Sequence, residues 1–168
     1  MNAISKTEQD ATASELAQDI TGILRPYGYK RKGSTWRHPT LDAVLVVNLQ
    51  RSNWGGGVYI NLGVLLKSIE DRAEPLEQNC HLRARLERLC PEPLSGKIHE
   101  LSCGGYEALR AGAQKAELLR ALQDFALPAL DSLATLDGQK HLLRRLEAGS
   151  ITVDGWVVMA AARAILQV

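Results

Sequence analysis

Residues Val44 to Leu65, VLVVNLQRSNWGGGVYINLGVL, decide the fold. Leu45, Val47 and Leu49 alternate with Val44, Val46, Asn48 and Gln50, and a period of two puts the sets on opposite faces of a strand. On the second arm Val58, Ile60, Leu62 and Val64 form an apolar row, with Tyr59, Asn61 and Gly63 pointing the other way. Pairing Leu49 with Val58, with Ser52 to Gly55 as the loop, gives both apolar rows one face. Gly55 to Gly57 suit a tight turn or a bulge, because glycine tolerates a positive φ. The stretch is predicted to be the middle of the only sheet. Its other face carries Asn48, Gln50, Tyr59 and Asn61, with Arg51 and Trp54 at the tip. A sheet covered by helices on both sides is apolar on both, so this face is either plainly solvated or a recognition surface.

Working outward, Ser5-x-x-Glu8 and Thr12-x-x-Glu15 are two capping boxes, either of which can start a helix. Leu16, Ile20, Ile23, Leu24 and Tyr27 make its apolar stripe, and Pro26 and Gly28 stop it. Thr35 to Arg37 reads as a short strand pairing with Asp42 to Leu49 through a turn at Pro39 and Thr40. Beyond the hairpin, Lys67 to Gln78 is a polar connection. Leu82, Ala84 and Leu86 alternate with His81, Arg83 and Arg85, which predicts a fourth strand with a basic outer face, although the spacing of Leu82, Leu86 and Leu89 also fits a helix. Lys97 to Leu101 is expected to be a last short strand and Cys103-Gly104-Gly105 a turn. From Tyr106 the pattern is helical, with Leu118, Leu122, Phe125 and Ala129 on one stripe and Pro128 as a kink or a new start. Asp137-Gly138 and Gly149 are read as breaks, and Asp154 as the cap of a final helix from Gly155 to Leu166. The fold class is therefore α+β, an antiparallel sheet of about four strands with an N-terminal helix and C-terminal helices packed on one face, in a single domain over residues 1–168.

The chain has 168 residues, 45% hydrophobic and 23% charged, which is ordinary globular usage. A net charge of +1 provides no global field for nucleic acid. Three cysteines, Cys80, Cys90 and Cys103, are an odd number at unpatterned spacings and fit a reducing compartment. MNAISKTEQD lacks the apolar segment of a secretory leader, and no apolar run approaches a membrane span. A cytoplasmic location is expected.

The order of these features resembles a bacterial family known only as domain of unknown function 4304. The residues that carry the likeness are GYKRKGSTW (28–36), VVNLQRSNWGGGVYINLGV (46–64), CHLRARL (80–86) and FALPALDSL (125–133), within a span from Leu16 to Leu146. Between Pro91 and Gly105 this chain has KIHELSCGG where the likeness leads one to expect a tryptophan-rich strand. The resemblance implies an α+β domain and brings no assigned activity. Small bacterial proteins that look like this sometimes sit beside secreted toxins as candidate immunity proteins, which points to another protein as partner.

No catalytic frame emerges from the residues. Cys80-His81, Cys90 and Cys103 lack metal-site spacing, and buried thiols behave as small hydrophobes. There is no G-x-S-x-G. Cys90 with His99 is a candidate thiol–imidazole pair, and Gly55 to Gly57 lack the lysine of a phosphate loop. Glu70, Asp71 and Glu74 read as solvated. No metal and no cofactor are expected. The leading expectation is a non-catalytic protein-binding domain, an immunity or accessory factor, using Asn48, Gln50, Arg51, Trp54, Tyr59 and Asn61, with Trp36 also exposed. One alternative is nucleic-acid binding through Lys30, Arg31, Lys32, Arg37, Arg51, Arg83 and Arg85, with Trp36 stacking on a base. The other is a small enzyme using His81 or His99.

Overall fold

A computed structural model of the chain describes residues 5–52 and 56–167. Helix α1 (Lys6–Leu24) starts at the first of the two capping boxes: the Ser5 hydroxyl accepts the Glu8 N–H and the Glu8 carboxylate accepts the Ser5 N–H. Its stripe of Ala13, Leu16, Ala17, Ile20 and Leu24 is buried. A 3-10 turn over Arg25–Tyr27 follows, and Gly28, at φ +86°, redirects the chain into the sheet.

Seven antiparallel strands follow, not about four: β1 (Lys30–Lys32), β2 (Thr35–Pro39), β3 (Ala43–Arg51), β4 (Val58–Leu66), β5 (Leu82–Arg85), β6 (Thr152–Val153) and β7 (Trp156–Val158), in the spatial order β1-β2-β3-β4-β5-β7-β6. The three additional strands have two or three residues each, too few to show a period. Between β5 and β6 come α2 (Leu86–Leu89), α3 (Leu94–Leu109), α4 (Gly112–Ala121), a π-helical turn at Leu122–Ala126, α5 (Leu127–Ser132) and α6 (Leu136–Arg144). A 3-10 segment, Ala160–Gln167, closes the described chain.

The hairpin pairs Leu49 with Ile60 and Arg51 with Val58, a shift of two residues from the expected register. An even shift preserves the faces, so the apolar rows remain together. Leu45, Val47, Leu49, Ile60, Leu62, Val64 and Leu82 lie in one core with α1 and the later helices. Trp36 is at its centre, fully buried, its Nε1–H donating to Thr21 Oγ1 at 2.9 Å, so the expected exposed tryptophan is a core residue.

Three further expectations are corrected. Lys97 to Leu101 is helix, because Ile98, Leu101, Ser102, Gly105, Tyr106 and Leu109 bury a face at spacings of three and four. Asp137-Gly138 does not break a helix. It forms the first turn of α6, with Thr135 as the cap. Asp154 and Gly155, at φ +48° and +82°, form the turn of the β6–β7 hairpin instead of capping a helix, the usual role of an Asp-Gly pair between strands. The Leu82–Arg85 strand is as expected, and Leu86 then begins α2.

Gly105 is the one non-helical residue within α3 (φ +62°, ψ −146°), and a Cβ there would overlap the Gly56 carbonyl of the β3–β4 connection. Gly105→Ala is expected to cost about 3 kcal/mol from strain and overlap. Gly22→Ala, at an open helical position of α1, is expected to gain about 0.5–1 kcal/mol. Urea unfolding of both variants checks the contrast; equal midpoints would show that the hairpin tip does not lean on the α3 kink.

Candidate functional site

The face of the sheet turned away from the main core is covered only in part. The connection from Lys67 to Cys80 crosses it and buries Val44, Val46 and Leu65 against Cys80 in a small second core. Gly63 permits this crossing: a Cβ there would lie 2.6 Å from Cys80 Sγ. Beyond that line the same rows turn from valine to amide, and the floor becomes Gln50, Asn61, Arg83 and Arg85.

Two hollows of about 650 Å³ flank this floor. One is walled by Glu87, Arg88, Glu92, Ser95 and His99 and reaches Val157. The other runs past Asn48 and Ser34 to Asp10 and Ser14 of α1, with Leu76 on its rim. Gln50, Glu77 and Arg83 belong to both. Leu76 and Val157 are 49% and 38% exposed, so each hollow carries an apolar contact.

The residues expected on this face meet different fates. Asn61 is buried and its Nδ2 donates to Gln50 Oε1 at 2.6 Å. Asn48 donates to Thr35 Oγ1 at 3.0 Å. Tyr59 is half-buried under the Arg85 guanidinium, which lies 4.4 Å from the ring centre, and its hydroxyl is 3.9 Å from Cys103 Sγ. The Cys103 hydrogen bond, then desolvation, raise the Tyr59 phenol above its usual range, keeping it protonated. Arg51 belongs to the helix-side row of β3 but still lines the second hollow, beside Asn48 and Gln50. It turns to the helix side, pairs with Asp10 at 2.8 Å and lies 5.2 Å from the Tyr106 ring centre; the Asp10 bond raises its pKa further. Trp54 lies outside the described residues, as do Asn53 and Gly55.

The basic residues do not gather into one cationic patch. Lys32 pairs with Glu74 at 2.6 Å, Arg37 donates to the Pro75 carbonyl at 2.7 Å, and Arg83 Nε donates to Glu77 at 2.8 Å. The crossing connection thus lays its carboxylates and carbonyls on the strand cations. Arg31 donates to the Gly33 carbonyl and leans on Trp36, and Lys30 lies exposed on the edge strand. Buried Trp36 offers no surface for base stacking.

His81 is buried, with Nδ1 accepting the Leu66 N–H at 3.0 Å, which makes it part of the scaffold. Burial raises the thiols of Cys80 and Cys90 to about 12 and about 11. Cys90 does not meet His99; its Sγ donates to the Leu86 carbonyl. His99 lies instead beside Cys103, Nε2 to Sγ 3.6 Å, with Glu87 at 3.8 Å from its Nδ1. That grouping escapes sequence reasoning until 99 and 103 are placed on one helix, where four residues bring side chains together. Among the described residues no group of three or more His, Cys, Asp or Glu side chains could hold a metal ion, and no helix is long and apolar enough to cross a membrane.

One family model matches the chain, over residues 20–132, and its description is Domain of unknown function (DUF4304). That segment runs from the end of α1 through α5 and contains both the polar floor and the Glu87–His99–Cys103 grouping. No curated protein and no solved structure matches.

Burial, the larger cause, holds the His81 imidazole below its ordinary value of 6.5, against a smaller opposing effect of Glu70. The folded chain therefore binds fewer protons than the unfolded one, and stability present above that value is lost as pH falls through it. Comparing urea midpoints at about pH 7.5 and about pH 5.5, His81→Asn should remove this part of the acid sensitivity. Parallel losses in the two proteins would assign the titration to another group.

Proposed function

The chain belongs to the family described as Domain of unknown function (DUF4304), and from that premise we propose that it is a protein-binding domain acting through the polar half of its sheet. The observation that carries this reading is the open floor itself. Gln50, Asn61, Arg83 and Arg85 lie between two hollows, each with an exposed apolar side chain, Leu76 or Val157. Directional polar groups beside apolar contacts are the composition of specific protein interfaces.

The charge pattern narrows the partner. Glu77 is committed to Arg83 and Glu92 accepts the Gly96 N–H. Among the described residues no ion pair involves Arg85 or Arg88, so the wall and floor keep two guanidiniums without a carboxylate partner, that of Arg85 resting on the Tyr59 ring. They suit a partner segment that presents carboxylates, which guanidinium binds in a bidentate fork. The narrower form of the proposal is an immunity or accessory factor whose partner is a toxin. Nucleic-acid binding is the weaker reading, because Glu74 and Glu77 already neutralise Lys32 and Arg83.

The test is capture by the tagged chain from lysate of its native host, with and without nuclease, followed by titration against the purified partner. Arg85→Glu, Arg88→Glu and Val157→Asp together should weaken binding at least about 30-fold, the loss expected when interface anchors are removed. Arg120→Ala, exposed on α4 and lining neither hollow, should leave it within about twofold. Equal binding by the triple variant would remove the polar half-face from the interface. Capture abolished by nuclease would return the weight to Lys30, Arg31 and Arg37.

A further inference from the structure

Cys103, the exposed member of three free cysteines, lies near two proton-handling groups. His99, one turn earlier on α3, places Nε2 3.6 Å from its Sγ. Tyr59, from β4, places its hydroxyl 3.9 Å away. The other ring nitrogen of His99 faces Glu87 Oε1 at 3.8 Å. Glu87 comes from α2, its side chain is 7% exposed, and its second oxygen is buried without a hydrogen-bond partner. Glu87 and His99 line the same hollow. A buried carboxylate with a free oxygen is costly unless a cation answers it, and an imidazole that has accepted a proton, 3.8 Å away, can do so.

We propose that Cys103 is a redox-modification site, a thiol that hydroperoxides oxidise to sulfenic acid with His99 as its proton carrier and Glu87 as the positioning residue behind the imidazole. In this step the Cys103 sulfur attacks the outer peroxide oxygen, forming an S–O bond and breaking the O–O bond. The sulfur loses two electrons and the peroxide gains them. The thiol proton passes to His99 Nε2 and from there to the departing oxygen, which leaves as water or an alcohol. The thiol is more nucleophilic as it loses its proton, and a positioned base makes that loss coincide with attack. Tyr59 remains a donor, so its hydroxyl steadies the negative charge that develops on sulfur. The cationic group Arg85 lies over the Tyr59 ring, and it supports the same polarity. The carboxylates of Glu100 and Glu107, exposed elsewhere on α3, oppose it.

The chain itself isolates the product. Cys80 and Cys90 are buried, each donating to a backbone carbonyl, and burial holds both as thiols. The oxidised sulfur is thus left open to small thiols from solution, which cap it reversibly. This inference does not depend on the protein-binding reading, and its readout is chemical.

The experiment treats the full chain with hydrogen peroxide in the presence of dimedone and maps adducts by mass spectrometry, with iodoacetamide alkylation rates measured at about pH 7 and about pH 9.5. Dimedone should mark Cys103 and leave Cys80 and Cys90 unmarked. At about pH 7 His99→Ala should slow both reactions about tenfold, and Glu87→Gln about threefold. At about pH 9.5, where hydroxide can take the place of the imidazole as proton acceptor, the alkylation rates of all three proteins should converge. Since the wild-type adduct map requires no variant, loss of folding in Glu87→Gln cannot obscure the result. Absence of a Cys103 adduct, or equal rates for wild type and His99→Ala at the lower pH, would overturn the proposal.

Discussion

Nine antiparallel pairs between Ala43–Arg51 and Val58–Leu66 determine which side chains meet the helices and which do not. Slipping β4 by one residue against β3 would present Tyr59 and Asn61 to the core, and leave Val58, Ile60, Leu62 and Val64 to water. Each of these four large side chains represents about 1.5–3 kcal/mol of burial, so such a slip costs more than the stability of a typical domain can absorb. β2 and β5 dock on the two outer edges of this pair, and the positions of Trp36, Leu82 and Ala84 in the core follow from it.

The opposite face follows a local rule as well. Where the Lys67–Cys80 connection passes over the sheet, the residues beneath are Val44, Val46 and Leu65, and glycine stands where Cys80 comes closest. Where it does not pass, the rows read Asn48, Gln50, Tyr59 and Asn61. The change of residue type within one strand therefore marks the edge of the cover. A polar floor that is only partly filled keeps hydrogen-bonding capacity, which a fully covered sheet would have spent internally.

Much of this was legible. Period two revealed the hairpin, and the Ser5–Glu8 box revealed the start of α1. The polar face of the sheet was visible in the same alternation. What failed had identifiable reasons. The paired glycines 104 and 105 read as a turn and divided a helical stripe from Ile98 to Leu109, hiding α3. That error also concealed the neighbourhood of His99 and Cys103, because four residues span about 13 Å in a strand but one turn of about 5.4 Å in a helix. The fate of Arg51 depends on Asp10, forty-one positions earlier, and no local pattern reports such a contact. Trp36 stands in a short strand beside basic residues, a setting that does not reveal that its indole finds Thr21 inside the core.

The spatial order of the strands also governs how the molecule behaves at high concentration. Among the described residues the outermost strands are β1, the tripeptide Lys30-Arg31-Lys32, and β6, only Thr152 and Val153. An open sheet edge is a template on which another chain can add, and long apolar edges lead to fibrous stacking. Here the long apolar strands β3 and β4 are interior, one edge repels its own copy by charge, and the other offers two residues. The β6–β7 hairpin, pairing with β5 from the far end of the chain, thus protects against aggregation as well as completing the sheet.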